Sequence, residues 1–171
     1  SFSRAAACHA ASSRARRAHS LARLDSLHEV WVQWELVFAD IEETHTSQPS
    51  LPFFRSPLAG RSWVTASGCV LDAAALMLSV VNQPPDPNAA LCLRAGFLSL
   101  RRIADYFQIP FDPDPDPDDP ISIDRSEFDE VYEELASFGV PVRPDREKAW
   151  RDFQGWRVNY DLALLGLASL T

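Results

Sequence analysis

Apolar residues recur along this chain at helical spacing, and the recurrence is interrupted by stretches rich in proline. The first run, over 21–46, carries Leu24, Leu27, Trp31, Trp34, Phe38 and Ile41 at alternating steps of three and four. That is a heptad-like stripe, which either packs inside a domain or forms a seam between copies. Trp31, Trp34 and Phe38 are accordingly the candidates for self-association. Residues 47–62, SQPSLPFFRSPLAGRS, break the periodicity with Pro49, Pro52, Pro57 and Gly60. Phe53 and Phe54 are expected to anchor this loop to the core.

The next run, WVTASGCVLDAAALMLSVV at 63–81, is almost continuously apolar. Its length approaches that of a membrane span, but an acid at the centre of such a span costs roughly 3 kcal/mol. Asp72 sits there, so the run is expected to be the central buried helix of a bundle. NQPPDPN turns the chain into a third helix over 88–108, with Leu93, Phe97, Leu100, Ala104 and Phe107 on one face. Gly68 and Gly96 fall inside these helices, where glycine costs about 1 kcal/mol against alanine. Close helix crossings would offset that cost. IPFDPDPDPDDPI at 109–121 excludes helix through its prolines and is expected to be a stiff, solvated spacer.

A fourth helix opens at Asp124, with Glu127 three residues on as a variant of the capping box. It presents Phe128, Val131, Tyr132, Leu135 and Phe138, and Gly139 stands where a helix stop is needed. After VPVRP a fifth helix is expected over 145–170, with Trp150, Phe153, Tyr160, Leu164 and Leu167 aligned. Only short pieces such as Val140–Val142 suit an extended chain. The predicted fold is therefore all-α, a bundle of about five helices over 21–171 with Pro-rich connections, preceded by a basic arm at 1–20.

Composition agrees with a folded body. The 171 residues are 46% hydrophobic and 11% aromatic, enough to bury roughly 70% of the unfolded surface. Charge is unevenly distributed. Residues 1–23 carry five arginines and no acid, which leaves the remainder at −13 against a chain total of −8. A basic arm on an acidic body suits contact with anionic lipid headgroups; an acidic body repels a nucleic-acid backbone, so nucleic acid is not an expected partner. Cys8, Cys69 and Cys92 are isolated and odd in number, which points to reduced thiols, with Cys69 and Cys92 expected to be buried. No apolar signal-peptide core precedes the first helix, and a start without Met suits a segment of a longer protein.

Candidate chemistry is sparse. The serine-hydrolase elbow, the zinc HExxH pattern and the glycine-rich phosphate loops do not occur, so no catalytic residue, cofactor or metal site is expected. The aspartates at 112, 114, 116, 118 and 119 lack the glycine and terminal glutamate of a calcium loop. Glu42 and His45 share a helical face, but no second such pair exists to complete a di-metal centre. Asp72 is the most informative polar residue, because a carboxylate in an apolar helix must be paired or neutral. Arg94 and Arg101 on the following helix, or Arg55 in the preceding loop, are the candidate partners for a structural ion pair.

The string EETHTSQPSLPFFRSPLAGRSWVTASGCVLDAAAL at 42–76, with WVQWELVFAD at 31–40 before it, resembles a known segment. That segment follows the pore module in bacterial two-transmembrane-helix, potassium-channel-like proteins. The stretches LRRIADYFQIPFDPDPDPDDP and RPDREKAWRDFQGWRVNYDLALLGLASLT extend the resemblance over roughly residues 24–171. It implies a non-catalytic cytosolic domain, on the cytoplasmic face of the membrane, joined or adjacent to a pore module and forming a homo-oligomer. It carries over no ligand or catalytic residues. The chain has no pore helix or selectivity filter of its own and so does not conduct by itself. A helical domain binding a small ligand is the rival expectation.

Overall fold

The computed structural model describes residues 24, 26–47 and 62–170. The basic arm at 1–20, the loop phenylalanines Phe53 and Phe54, Arg55 and Cys8 lie outside the described residues. Within them are six helices: α1 (Leu27–Ser47), α2 (Trp63–Ser79), α3 (Pro87–Tyr106), α4 (Arg125–Ser137), α5 (Arg146–Arg157) and α6 (Asp161–Ala168). The fold is an all-α bundle. Among the described residues no helix is long and apolar enough to cross a membrane.

Local chemistry starts most of these helices. Ser62 accepts from the Thr65 backbone N–H at 3.1 Å at the head of α2. Asp86 accepts from Asn88 at 2.9 Å, and Pro87 occupies the first turn of α3, where its missing N–H costs nothing. The capping box at α4 is complete: the Glu127 N–H reaches Asp124 at 2.9 Å, and the Asp124 N–H reaches the Glu127 carboxylate at 3.0 Å. Asp145 caps α5 through the Lys148 N–H at 2.9 Å. At the end of α4, Gly139 takes φ 80°, a left-handed conformation that suits glycine.

The expected central helix is central. α2 lies against α1, α3, α5 and α6, and α1 rests chiefly on α3. Trp31 and Phe38 from α1, Leu71 from α2, Leu93, Leu100 and Ile103 from α3, and Tyr160 are all essentially inaccessible. α3 passes close to both neighbours at Gly96, where a Cβ would stand 2.5 Å from Leu71 Cδ2 and 2.7 Å from the Phe38 ring. That crossing explains the glycine in a helix interior. The Val140–Val142 segment does run extended, forming an isolated antiparallel bridge between Val142 and Val81.

Two expectations need correction. The fifth helix does not run unbroken: the chain turns at 158–160, separating α5 from α6. Arg101 stabilises the break, donating to the Asn159 backbone oxygen at 2.6 Å and to its side-chain Oδ1 at 3.1 Å. A long-range arginine thus satisfies a carbonyl that a continuous helix would have used. The proline–aspartate tract is solvated as expected, with Asp112, Asp114, Asp116 and Asp118 exposed, but it is not a free-standing spacer. Asp112 and Asp116 each accept from the backbone N–H two residues on, at 2.9 and 3.0 Å, making consecutive side-chain turns. Gln154 donates to the Asp118 and Asp119 carbonyls, and Arg101 to that of Pro113, so the tract is clamped to α3 and α5.

Candidate functional site

The polar centre of the bundle gathers around Asp72, halfway along α2. Its Oδ1 accepts from Arg157 Nη1 and, at 2.8 Å, from the Tyr160 hydroxyl. Arg157 also donates through Nε to Asp161 Oδ1 at 2.7 Å, an i, i+4 pair that spans the break between α5 and α6. Asp161 is then saturated by Ser122, whose hydroxyl donates at 2.6 Å and whose backbone N–H donates at 2.8 Å. The Arg157 guanidinium lies 5.0 Å from the Tyr160 ring centroid, adding a cation–π contact. Three elements and a loop therefore meet at one ion cluster.

Burial makes this cluster consequential. Arg157 and Asp161 are only 4% and 3% exposed, whereas the Asp72 side chain retains 31% of its accessible surface. Desolvation pulls the Arg157 pKa down, but the Asp72 charge and the hydrogen bonds donated to both carboxylates outweigh it and hold the guanidinium charged. Burial pushes the Tyr160 hydroxyl well above its usual range, and the Asp72 charge pushes the same way. Tyr160 is thus a fixed hydrogen-bond donor.

Two of the expected partners of Asp72 are placed elsewhere, and the third, Arg55, lies outside the described residues. Arg94 is exposed on α3. Arg101 is engaged at the helix break and rests 5.1 Å over the Phe97 ring. The true partner, Arg157, carried a readable signal: it occupies the stripe position between Phe153 and Tyr160, three and four residues from its apolar neighbours. A lone arginine inside an apolar stripe requires a buried counter-charge. The candidates on α1 also divide. Trp31 and Phe38 are 1% and 0% exposed and belong to the core, and Trp34 is half-buried with its ring 5.4 Å from Phe38. Trp31 and Phe38 therefore offer no free face for a second copy, whereas Trp34 keeps part of its surface.

The Glu42 and His45 pair does not converge on a ligand. Glu42 accepts from Ser99 and from Arg102, both at 3.0 Å, whereas His45 is buried, bonds the Ile41 carbonyl at 2.8 Å and stacks on Trp63 at 4.2 Å. Among the described residues no group of three or more His, Cys, Asp or Glu is arranged to hold a metal ion. Cys92 is buried as expected, and burial together with the nearby Glu35 pushes its thiol up to about 12. Cys69, expected inside, is exposed, because position 69 of α2 faces away from the neighbouring helices. Since the thiolate is the reactive form, a thiol reagent at neutral pH should label Cys69 rapidly and spare Cys92 until the chain unfolds. Mass spectrometry of native and denatured samples checks this at the level of individual peptides, and rapid native labelling at Cys92 would contradict it.

No protein-family model, curated protein or solved structure matches the chain.

A cavity of about 180 Å³ opens beside the cluster. Leu76 and Asp72 of α2, Ile123 before α4, Glu127, Phe128 and Val131 of α4, and Phe153 of α5 line it. The Asp72 carboxylate thereby joins the ion cluster on one side to an apolar recess on the other.

Proposed function

We propose that this domain is a non-catalytic assembly and regulatory module of an ion-channel-like membrane protein, acting at the cytoplasmic face through contact between copies of the chain. The observation that carries the assembly role is the outer face of α1. While Trp31, Phe38 and His45 fill the core side, Val32, Leu36 and Val37 stand 41%, 67% and 36% exposed. Between Glu29 and Asp40 the exposed positions are Val32, Gln33, Leu36, Val37 and Ala39, none of them charged. On a chain of net charge −8, an uncharged apolar strip is where two identical acidic bodies meet with least repulsion. A two-fold contact suits it, because the same patch then serves both partners.

The channel context rests on the resemblance of residues 31–76 to the segment that follows a pore module. A pore of several subunits would bring copies of this domain to high local concentration, so that a weak helix–helix contact suffices. The basic residues of the first 23 positions suit a place beside an anionic membrane surface. Bundle rearrangements that alter the α1 contact would then bias the attached pore.

Sedimentation equilibrium of this chain at roughly 10–100 µM is expected to show a reversible dimer, the behaviour of a small interface. Leu36→Glu should return it to monomer with its helical circular dichroism intact, since Leu36 makes no core contact that the variant would lose. A monomer across the whole range, or a dimer indifferent to Leu36→Glu, would refute the assembly role of this face.

A further inference from the structure

We infer that the cavity beside Asp72 is a binding site for a small organic cation, an ammonium group carried on a compact apolar body. The cavity is lined by α2, α4, α5 and Ile123 and by no residue of α1, so its occupancy does not depend on self-association.

Among the described residues the ion cluster holds two carboxylates, Asp72 and Asp161, against one guanidinium. Asp161 has both oxygens engaged, Oδ1 by Arg157 and the Ser122 hydroxyl and Oδ2 by the Ser122 N–H. Asp72 does not. Its Oδ1 takes both the Arg157 and Tyr160 donors, and its Oδ2 has no hydrogen-bond partner among the described residues. The unmatched negative charge of the cluster is therefore concentrated on the one carboxylate that also lines the cavity. Glu127, on the same wall, adds a second negative charge. Arg157 does not cancel this attraction, because its own charge is already shared between the two aspartates.

The remaining walls define the body of the ligand. Phe128 and Phe153 lie with ring centroids 5.4 Å apart, and Leu76, Ile123 and Val131 complete an aliphatic lining. The two phenylalanines, each 2% exposed, contribute an apolar wall that suits an aryl or alkyl body. A dry cavity of about 150 Å³ accepts a benzene-sized molecule, so 180 Å³ suits one ring with a short aminomethyl arm. An anion of the same size meets two carboxylates, and a neutral alcohol gains no charge pairing with Asp72.

The test uses amide chemical-shift titration of the full chain with benzylamine, benzyl alcohol and benzoate, at about 0.15 M salt so that diffuse attraction to an acidic surface is screened. Benzylamine is expected to shift amides of α2, α4 and α5 around the cavity with Kd on the order of 0.1–1 mM, as befits a ligand of so few atoms. Benzyl alcohol and benzoate should bind at least tenfold more weakly. Asp72→Asn should weaken benzylamine by tenfold or more. Should that variant fail to fold, Val131→Phe decides: it fills the recess, leaves the ion cluster intact and is expected to abolish binding. Equal affinity for benzyl alcohol, benzylamine shifts that survive Val131→Phe, or no saturable benzylamine binding below about 10 mM would each overturn the inference.

Discussion

Replacing Arg157 by methionine is expected to lower the unfolding free energy by about 3–5 kcal/mol, the cost of leaving a buried charge without its partner. The size of the loss depends on which carboxylate is stranded. Asp72 keeps the Tyr160 hydroxyl and is open enough to recruit water, so its share of the loss is small. Asp161 is 3% exposed and would retain only the Ser122 donors. The same logic ranks the reciprocal variant lower. Asp72→Ala still leaves Arg157 its bond to Asp161, so a loss of about 1–3 kcal/mol is expected, from the charge-assisted bond to Arg157 and from the buried Tyr160 hydroxyl left without its acceptor. Arg157→Met combined with Asp161→Leu should recover most of the deficit, because an apolar replacement of a whole buried pair is often neutral. Urea unfolding of the three variants checks the order. A loss below about 1 kcal/mol for Arg157→Met would mean that Asp161 is not held as the structure shows.

Gly96→Ala is the second large effect, and its sign separates packing from propensity. Alanine is the better helix former by about 1 kcal/mol. At Gly96, however, the new methyl would press on the Phe38 ring and on Leu71, both wholly buried and unable to swing away. Overpacking of that kind costs about 1–3 kcal/mol, and the rigid aromatic ring places this site at the upper end, for a net loss of about 2 kcal/mol. Gly68 offers the internal control. There a Cβ would meet only Leu164, its nearest methyl at 3.1 Å, the flexible end of a side chain at the margin of the core with 9% of its surface exposed. Gly68→Ala should therefore be neutral, or stabilising by up to about 1 kcal/mol. Thermal unfolding of both variants tests the contrast. Equal behaviour at the two positions would show that α3 does not cross α1 and α2 as closely as described.

Most of the secondary structure was legible because its causes are local. Five of the six helix positions follow from apolar spacing, and the Asp124–Glu127 box and the Gly139 stop are read from residues within a few positions of one another. The rank of α2 as the central helix was legible too, since a nearly continuous apolar run can be satisfied only by neighbours on every side. The candidate site was half legible. Asp72 announces a buried counter-charge, but the sequence offered several arginines of equal merit.

What remained was decided by packing between distant residues. Arg157 and Asp72 lie 85 positions apart, and their meeting depends on the angle at which α5 crosses α2. Periodicity fixes which residues share a helix face, but not which neighbour that face meets. The same limit explains the α5–α6 break, where Arg101 takes the Asn159 carbonyl from 58 positions away. It explains Cys69, which shares an apolar helix with buried residues yet projects between no neighbours, and the α1 stripe, whose tryptophans and Phe38 turn inward while Val32 and Leu36 are left outside. By itself the sequence determined the helices, their caps and the need for one buried ion pair, because each depends on a few bonded or near-bonded residues. The tertiary structure alone decided the partner of that pair, the cavity beside it and the face left open, because those depend on the relative placement of whole helices.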